Sequence, residues 1–211
     1  MGMNHINHVT LEVADVPAAS RFYYEALGLD PETSGIRLRE ADDSTAGFRG
    51  FALSLITSQP ADVDLLVRAA VEAGAETLKP PAKSFWGYGA AFRAPDGTVW
   101  QVASESKKDH GPASTNVTET VLLLGVVDVK ATKRFYADHG LTVGKAFGGK
   151  YVEFEAPDGT VKLALYGRRA IGKQVGVSPE GAGSHRIAVA SGAGPLTDPD
   201  GYVWEAAHDA G

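Results

Sequence analysis

The 211-residue sequence contains no cysteine. Disulfides, thiolate metal sites and a cysteine nucleophile are thereby excluded. The absence suits a reducing cytoplasm, which is the expected location. Positive charge is scarce as well. Lys and Arg number 20 against 26 Asp and Glu, a formal net charge of −6. No basic field therefore points to nucleic acid or to an anionic membrane. No apolar run approaches the roughly 20 residues of a membrane-spanning helix. The opening MGMNHINHVTLEV has neither the basic start nor the long apolar centre of a signal peptide, so none is expected. A GxSxG elbow, a phosphate loop and an HExxH motif are also missing. What is present is a hydrophobic share of 44% with 25 glycines and 11 prolines. That is the composition of a globular chain with many turns, large enough for one large domain or two small ones.

The chain repeats itself. LEVADVPAASRFYYEALGL (11–29) returns as LGVVDVKATKRFYADHGL (124–141), with Asp15, Phe22 and Tyr23 matched by Asp128, Phe135 and Tyr136. APDGTVWQVA (94–103) returns as APDGTVKLAL (156–165) and as DPDGYVWEAA (198–207). These landmarks divide the chain into a first copy, 1–105, a polar linker, 106–116, and a second copy, 117–211. The second copy is shorter between its landmarks.

Each copy divides again into two units. HVTLEV alternates and predicts a strand. Asp15 is placed as an N-cap with Pro17 close behind, and Gly28 as the helix stop. Val16, Ala19, Phe22, Tyr23, Ala26 and Leu27 recur at helical spacing between them. The same order restarts at GFALSLITS, with a helix expected over 62–74, and each PDG string predicts a hairpin turn. Four units result, at about 5–49, 50–105, 118–167 and 183–207. The first carries no PDG hairpin. In the fourth, SGAGPLT stands where a helix is expected.

This ordered set of strings resembles the vicinal oxygen chelate superfamily, the group of glyoxalases, bleomycin-resistance proteins and extradiol dioxygenases. The residues that carry the resemblance are HVTLEVADVPAASRFYYEALGL, DVDLLVRAAVEAGAETLKPPAKSFWGYGAAFRAPDGTVWQV, and SHRIAVAS with DPDGYVWEA. The resemblance implies an α+β fold: four βαβββ modules, partly degenerate here, forming two curved, cup-shaped mixed sheets. It also implies a small-molecule ligand or substrate, and a cup built from modules of different copies. A divalent metal, Fe, Zn, Ni or Mn, is held there in many members and absent in others.

In that family metal ligands come from the first and last strands of a module. Strand parity puts His8, Thr10 and Glu12 on one face of the first strand and Val9, Leu11 and Val13 on the other. Matching first-strand positions are Gly50, Val121 and His185, and matching last-strand positions are Gln101, Leu163 and Glu205. Pairing the first unit with the fourth assembles His8, His185 and Glu205, two imidazoles and a carboxylate with open positions. Pairing the second with the third leaves a cup that cannot hold a metal. Glu12 is the candidate general base. Two functions stay open. One is a metal-dependent isomerase, lyase or dioxygenase acting on vicinal oxygens, and the other is a metal-free protein that binds and sequesters a small molecule. The Lys83–Phe92 segment, KSFWGYGAAF, is either turn and core packing or a ligand wall. Trp100 and Trp204 should face away from the cups. With two copies in one chain, a monomer suffices, and a homodimer is the other expectation.

Overall fold

The computed structural model describes residues 5–31, 33–192 and 194–207. His208, expected to have parity opposite to Glu205, lies outside them. The first module runs β1 (Ile6–Val13), α1 (Val16–Leu27), β2 (Ile36–Glu40) and β3 (Thr45–Gly47). The second is β4 (Phe51–Thr57), α2 (Pro60–Glu72), β5 (Glu76–Lys83), β6 (Tyr88–Arg93) and β7 (Val99–Ser104). The third is β8 (Glu119–Val126), α3 (Val129–Asp138), β9 (Val143–Phe147), β10 (Tyr151–Phe154) and β11 (Lys162–Gly167). A short helix, α4 (Arg168–Val175), follows. The fourth module is β12 (Gly181–Gly183), β13 (Ile187–Ser191), β14 (Leu196–Thr197) and β15 (Val203–Ala206). No helix among the described residues stands between β13 and β14, as the sequence implied.

Local chemistry fixes the helix ends. Asp15 accepts from the Ala18 amide at 2.9 Å, and Gly28 closes α1 in the left-handed region at φ 66°. Asp128 caps α3 through the amides of Lys130 and Ala131. Helix α2 starts two residues earlier than the pattern suggested, because Pro60 suits a first helical turn where no amide partner is needed.

The modules pair as the family resemblance implied. Antiparallel β4 and β8 join the second and third modules into an eight-stranded sheet, β5-β6-β7-β4-β8-β11-β10-β9. Antiparallel β1 and β13 join the first and fourth into a five-stranded sheet, β14-β15-β13-β1-β2. The main core lies between these sheets and helices α1 to α3, with Val9, Leu11, Val13, Trp100 and Trp204 almost wholly buried in it. Both tryptophans thus face away from the concave surfaces.

The repeated motifs meet in two similar buried triangles. Tyr23 of α1 donates to Asp96 of the first PDG turn, and Trp100 Nε1 lies 3.4 Å from the Tyr23 hydroxyl. In the second copy Tyr136 donates to Asp198 at 2.6 Å, and Trp204 Nε1 lies 3.2 Å from the Tyr136 hydroxyl. The turns are therefore tied to helices of the other module, which explains why the tyrosines and the aspartates recur together.

The eight-stranded sheet is filled from within. Ile171 and Val175 of α4, both fully buried, pack on its concave face against Phe48, Ala52, Val121, Leu123 and Ala164. Gly125 permits the approach, since a Cβ there would stand 2.8 Å from the Ile171 side chain. Gln174 of α4 donates to Gln101 at 2.8 Å. The cup that the sequence marked as unable to hold a metal contains a helix of the same chain.

Two registers differ from the sequence alignment by one residue. On β11 the buried core side belongs to Leu163 and Leu165, so Lys162 and Ala164 are the cup-facing positions. On β13 Ile187 and Val189 point to the core and pair with Leu11 and Val9, which makes Arg186, not His185, share the parity of His8. A strand has a period of two, so a slip of one residue reverses every side chain.

Candidate functional site

The five-stranded sheet presents an open concave face. Its floor takes His8, Thr10 and Glu12 from β1, Arg37 and Arg39 from β2, Ala188 and Ala190 from β13, and Val203 and Glu205 from β15. Register enforces the set: Thr10 pairs with Arg37 and Glu12 with Arg39, His8 with Ala190 and Thr10 with Ala188, and Ala190 with Glu205. His8, Ala190 and Glu205 thus form one row across three strands. The small alanines keep the centre low.

The charged groups on this floor are organised around Arg39. Its Nη2 donates to Glu12 at 2.6 Å, and its Nη1 donates to both Glu205 oxygens at 2.9 and 3.1 Å. One guanidinium therefore bridges carboxylates from the first and last strands, with its planar donors matched to them. The side chains of Arg39 and Glu205 are 43% and 36% exposed. At that exposure the bridge contributes little to stability. Its main consequence is to hold both carboxylates around a resident cation.

Arg37 is exposed, and its Nη1 lies 3.5 Å from His8 Nε2. Burial and then the Arg37 charge push the His8 pKa below the ordinary histidine value, with Glu205 opposing them. The imidazole is thus held neutral near pH 7. A cleft of about 310 Å³ opens at the Glu12 end of the floor, lined by Glu12, Ser184, His185 and Val203.

Of the residues expected to hold a metal, His8 and Glu205 share the concave face. His185, just before β13, lines the cleft at the Glu12 end but does not share the strand row of His8 and Glu205. Its Nδ1 faces the Arg49 carbonyl and its Nε2 lies 3.2 Å from the Asp200 carbonyl. The ring stacks on Tyr202 with centroids 4.1 Å apart. Both ring nitrogens face carbonyl oxygens; a neutral ring donates from one of them and has its remaining lone pair directed at the other carbonyl. The position between Glu12 and Glu205 is filled by the Arg39 guanidinium. Among the described residues no three His, Asp or Glu side chains are grouped so as to hold a metal ion. The residues as they stand do not fit the divalent metal that the family resemblance implies. Glu12, the candidate base, lies on the cup face as parity required, but its carboxylate is engaged by Arg39.

Sequence reasoning missed two features. Arg37 and Arg39 were announced by the alternation of IRLRE, polar on one side and apolar on the other. Helix α4 is eight residues long with a basic start, RRAIGKQV, and falls between the third and fourth units. Arg168 donates to the carbonyls of Phe48 and Pro179 at 2.7 and 2.8 Å rather than meeting solvent. The Lys83–Phe92 segment divides: Phe92 is in the core, while Phe85 and Trp86 in the β5–β6 turn are exposed. The other histidines play local parts. His110 in the linker lies 2.9 Å from the Ser106 hydroxyl, and His139 is the C-terminal cap of α3.

Comparison with known proteins agrees with this architecture. Residues 32–102 match the model of the Glyoxalase/Bleomycin resistance protein/Dioxygenase superfamily. The chain is similar in structure to glyoxalase I from Zea mays, with TM-score 0.60 and 17% identity over 95% of this chain and 90% of that one. It is also similar to a putative dioxygenase from Bacillus subtilis, with TM-score 0.55 and 14% identity over 94% of this chain and 72% of that one. At these identities the likeness is one of fold. No curated protein sequence matches the chain. The resemblance drawn from the strand, helix and PDG strings therefore holds.

Proposed function

We propose that this chain, which has the fold of the glyoxalase, bleomycin-resistance and dioxygenase superfamily, binds a small oxygen-bearing molecule in its five-stranded cup without a metal ion. The observation that carries this reading is Arg39 seated between Glu12 and Glu205. A guanidinium is a permanent cation. It offsets one of the two negative charges and occupies the place between the two carboxylates where a divalent ion would otherwise sit. The ligand meets Arg37, an exposed cation of the floor outside the Arg39 bridge, with the Thr10 hydroxyl and the neutral His8 ring beside it. The alternating donors of β1 and β2 suit two oxygens on adjacent carbons, and the alanines of β13 leave room above them.

The other reading is a metal-dependent isomerase, lyase or dioxygenase using His8, His185 and Glu205. It requires His185 to leave two carbonyls and Glu205 to leave Arg39. Oxalate is the simplest probe of the cup, because it offers vicinal oxygens and negative charge. Titration followed by backbone amide shifts is expected to move Thr10, Arg37 and Ala190, and Arg37→Ala is expected to weaken binding at least tenfold. Shifts absent from these strands, or binding unaffected by Arg37→Ala, would count against an anion-binding cup.

A further inference from the structure

A second cavity of about 320 Å³ lies at the end of β1, where the start of α1, the Pro95–Asp96 turn and β3 meet. It shares no lining residue with the cleft beside Glu12. One wall is apolar: Ala18, Ala19 and Phe22 of α1, with Pro95 opposite. The other carries Arg49, Arg186 and Thr45.

Neither guanidinium forms an ion pair among the described residues. Arg49 donates to the Asp96 carbonyl and lies 3.5 Å from the Thr98 hydroxyl. Arg186 donates to the Ala41 carbonyl at 2.6 Å and to the Asp43 carbonyl at 2.8 Å. Both cations are thus held by neutral oxygens, although Asp96 acts electrostatically on Arg49. The cavity also contains Asp15 and Asp96, which balance the two arginines in charge, and their oxygens accept from neutral donors of the chain. Asp15 caps α1 through the Ala18 amide. Asp96 accepts from the Thr98 amide and from the Tyr23 hydroxyl.

Two further features mark the place. The Thr45 hydroxyl oxygen is buried and has no hydrogen-bond partner, which is uncommon because such a group loses water without compensation. Arg186 has φ 55°, the only left-handed non-glycine among the described residues. A side chain held in that conformation costs free energy that the surroundings must offset, and such residues gather at ligand sites.

We propose that this cavity is a second binding site, for a small carboxylic acid with a flat apolar body. The carboxylate takes donors from Arg49, Arg186 and the orphan Thr45 hydroxyl. The body lies against Phe22 and Pro95. Arg186 adjoins β13 of the five-stranded sheet, but none of the residues proposed to bind the carboxylate is among those proposed to bind in the cup, so the two sites stand or fall separately.

Benzoate and its neutral analogue benzamide are the probes, followed by backbone amide shifts on the full chain. Benzoate is expected to move Ala18, Thr45 and Asp96, with benzamide at least tenfold weaker. Arg49→Gln is expected to weaken benzoate tenfold or more. Thr45→Val is the milder variant. It replaces an unsatisfied hydroxyl by a methyl of the same shape, so the fold should be as stable as before, while benzoate binding falls severalfold. Equal affinity for benzoate and benzamide overturns the proposal. So does a folded Thr45→Val variant with unchanged affinity, or a response confined to β1, β2 and β15 of the cup.

Discussion

Replacing Ile171 by alanine is expected to lower stability by about 2–5 kcal/mol, with the denaturation midpoint shifted at an unchanged slope. Ile171 is fully buried in the cluster that fills the eight-stranded cup. Helix α4 has only eight residues, too few to be stable by itself. Its place depends on packing against the sheet, and Ile171 is the largest side chain it contributes to that cluster. Truncation leaves a void where the strands curve around the helix and cannot collapse inward. A loss below about 0.5 kcal/mol would mean that α4 is loosely seated and that the cup is open to a ligand after all.

The second large effect is expected for Tyr136→Phe, through Asp198. Burial pushes the Asp198 carboxyl above its ordinary pKa, while hydrogen bonds from Tyr136 and from the amides of Tyr202 and Asp200 act against the rise. Because the folded pKa is raised, stability from this group is complete below the unfolded pKa and declines as pH rises through the folded one. Removing the tyrosine hydroxyl raises the folded pKa further. The deficit of the variant should therefore grow with pH. It is expected to be about 0.5–1.5 kcal/mol at pH 3, where the lost bond joins neutral groups, and about 1.5–3 kcal/mol at pH 7, where it joins a buried carboxylate. Denaturation of both proteins at the two pH values checks this. A deficit that shrinks toward neutral pH would contradict the assigned role of Asp198.

The architecture was legible because its signals are redundant. Asp15 and Asp128 announced two helix starts, and the PDG strings announced hairpins. The alternation of HVTLEV settled which side of β1 meets the core, and from it followed the cup-facing placement of His8 and Glu12. The pairing of first with fourth module was implied by the family resemblance and not by the repeat itself. What failed was register. SHRIAVAS aligns with NHVTLEV by its histidine, but packing aligns it by Ile187 and Val189, whose burial outweighs any likeness of polar residues. The same cause moved Leu163 to the core side of β11. Helix α4 escaped because its apolar face is only Ile171 and Val175, and its partner surface lies across the chain in β4 and β8. Arg39 escaped because the ligand positions were sought among histidines and carboxylates. The cation that joins Glu12 to Glu205 comes from the neighbouring strand.

The most direct test is metal content after loading. The purified chain is incubated with Mn, Zn, Ni and Fe(II) salts, dialysed, and measured by elemental analysis. With Arg39 between Glu12 and Glu205 and with His185 turned to two carbonyls, no stoichiometric metal should remain. One equivalent retained by the wild type, and lost from both His185→Ala and Glu205→Ala, would contradict a metal-free cup and restore the metal-dependent reading.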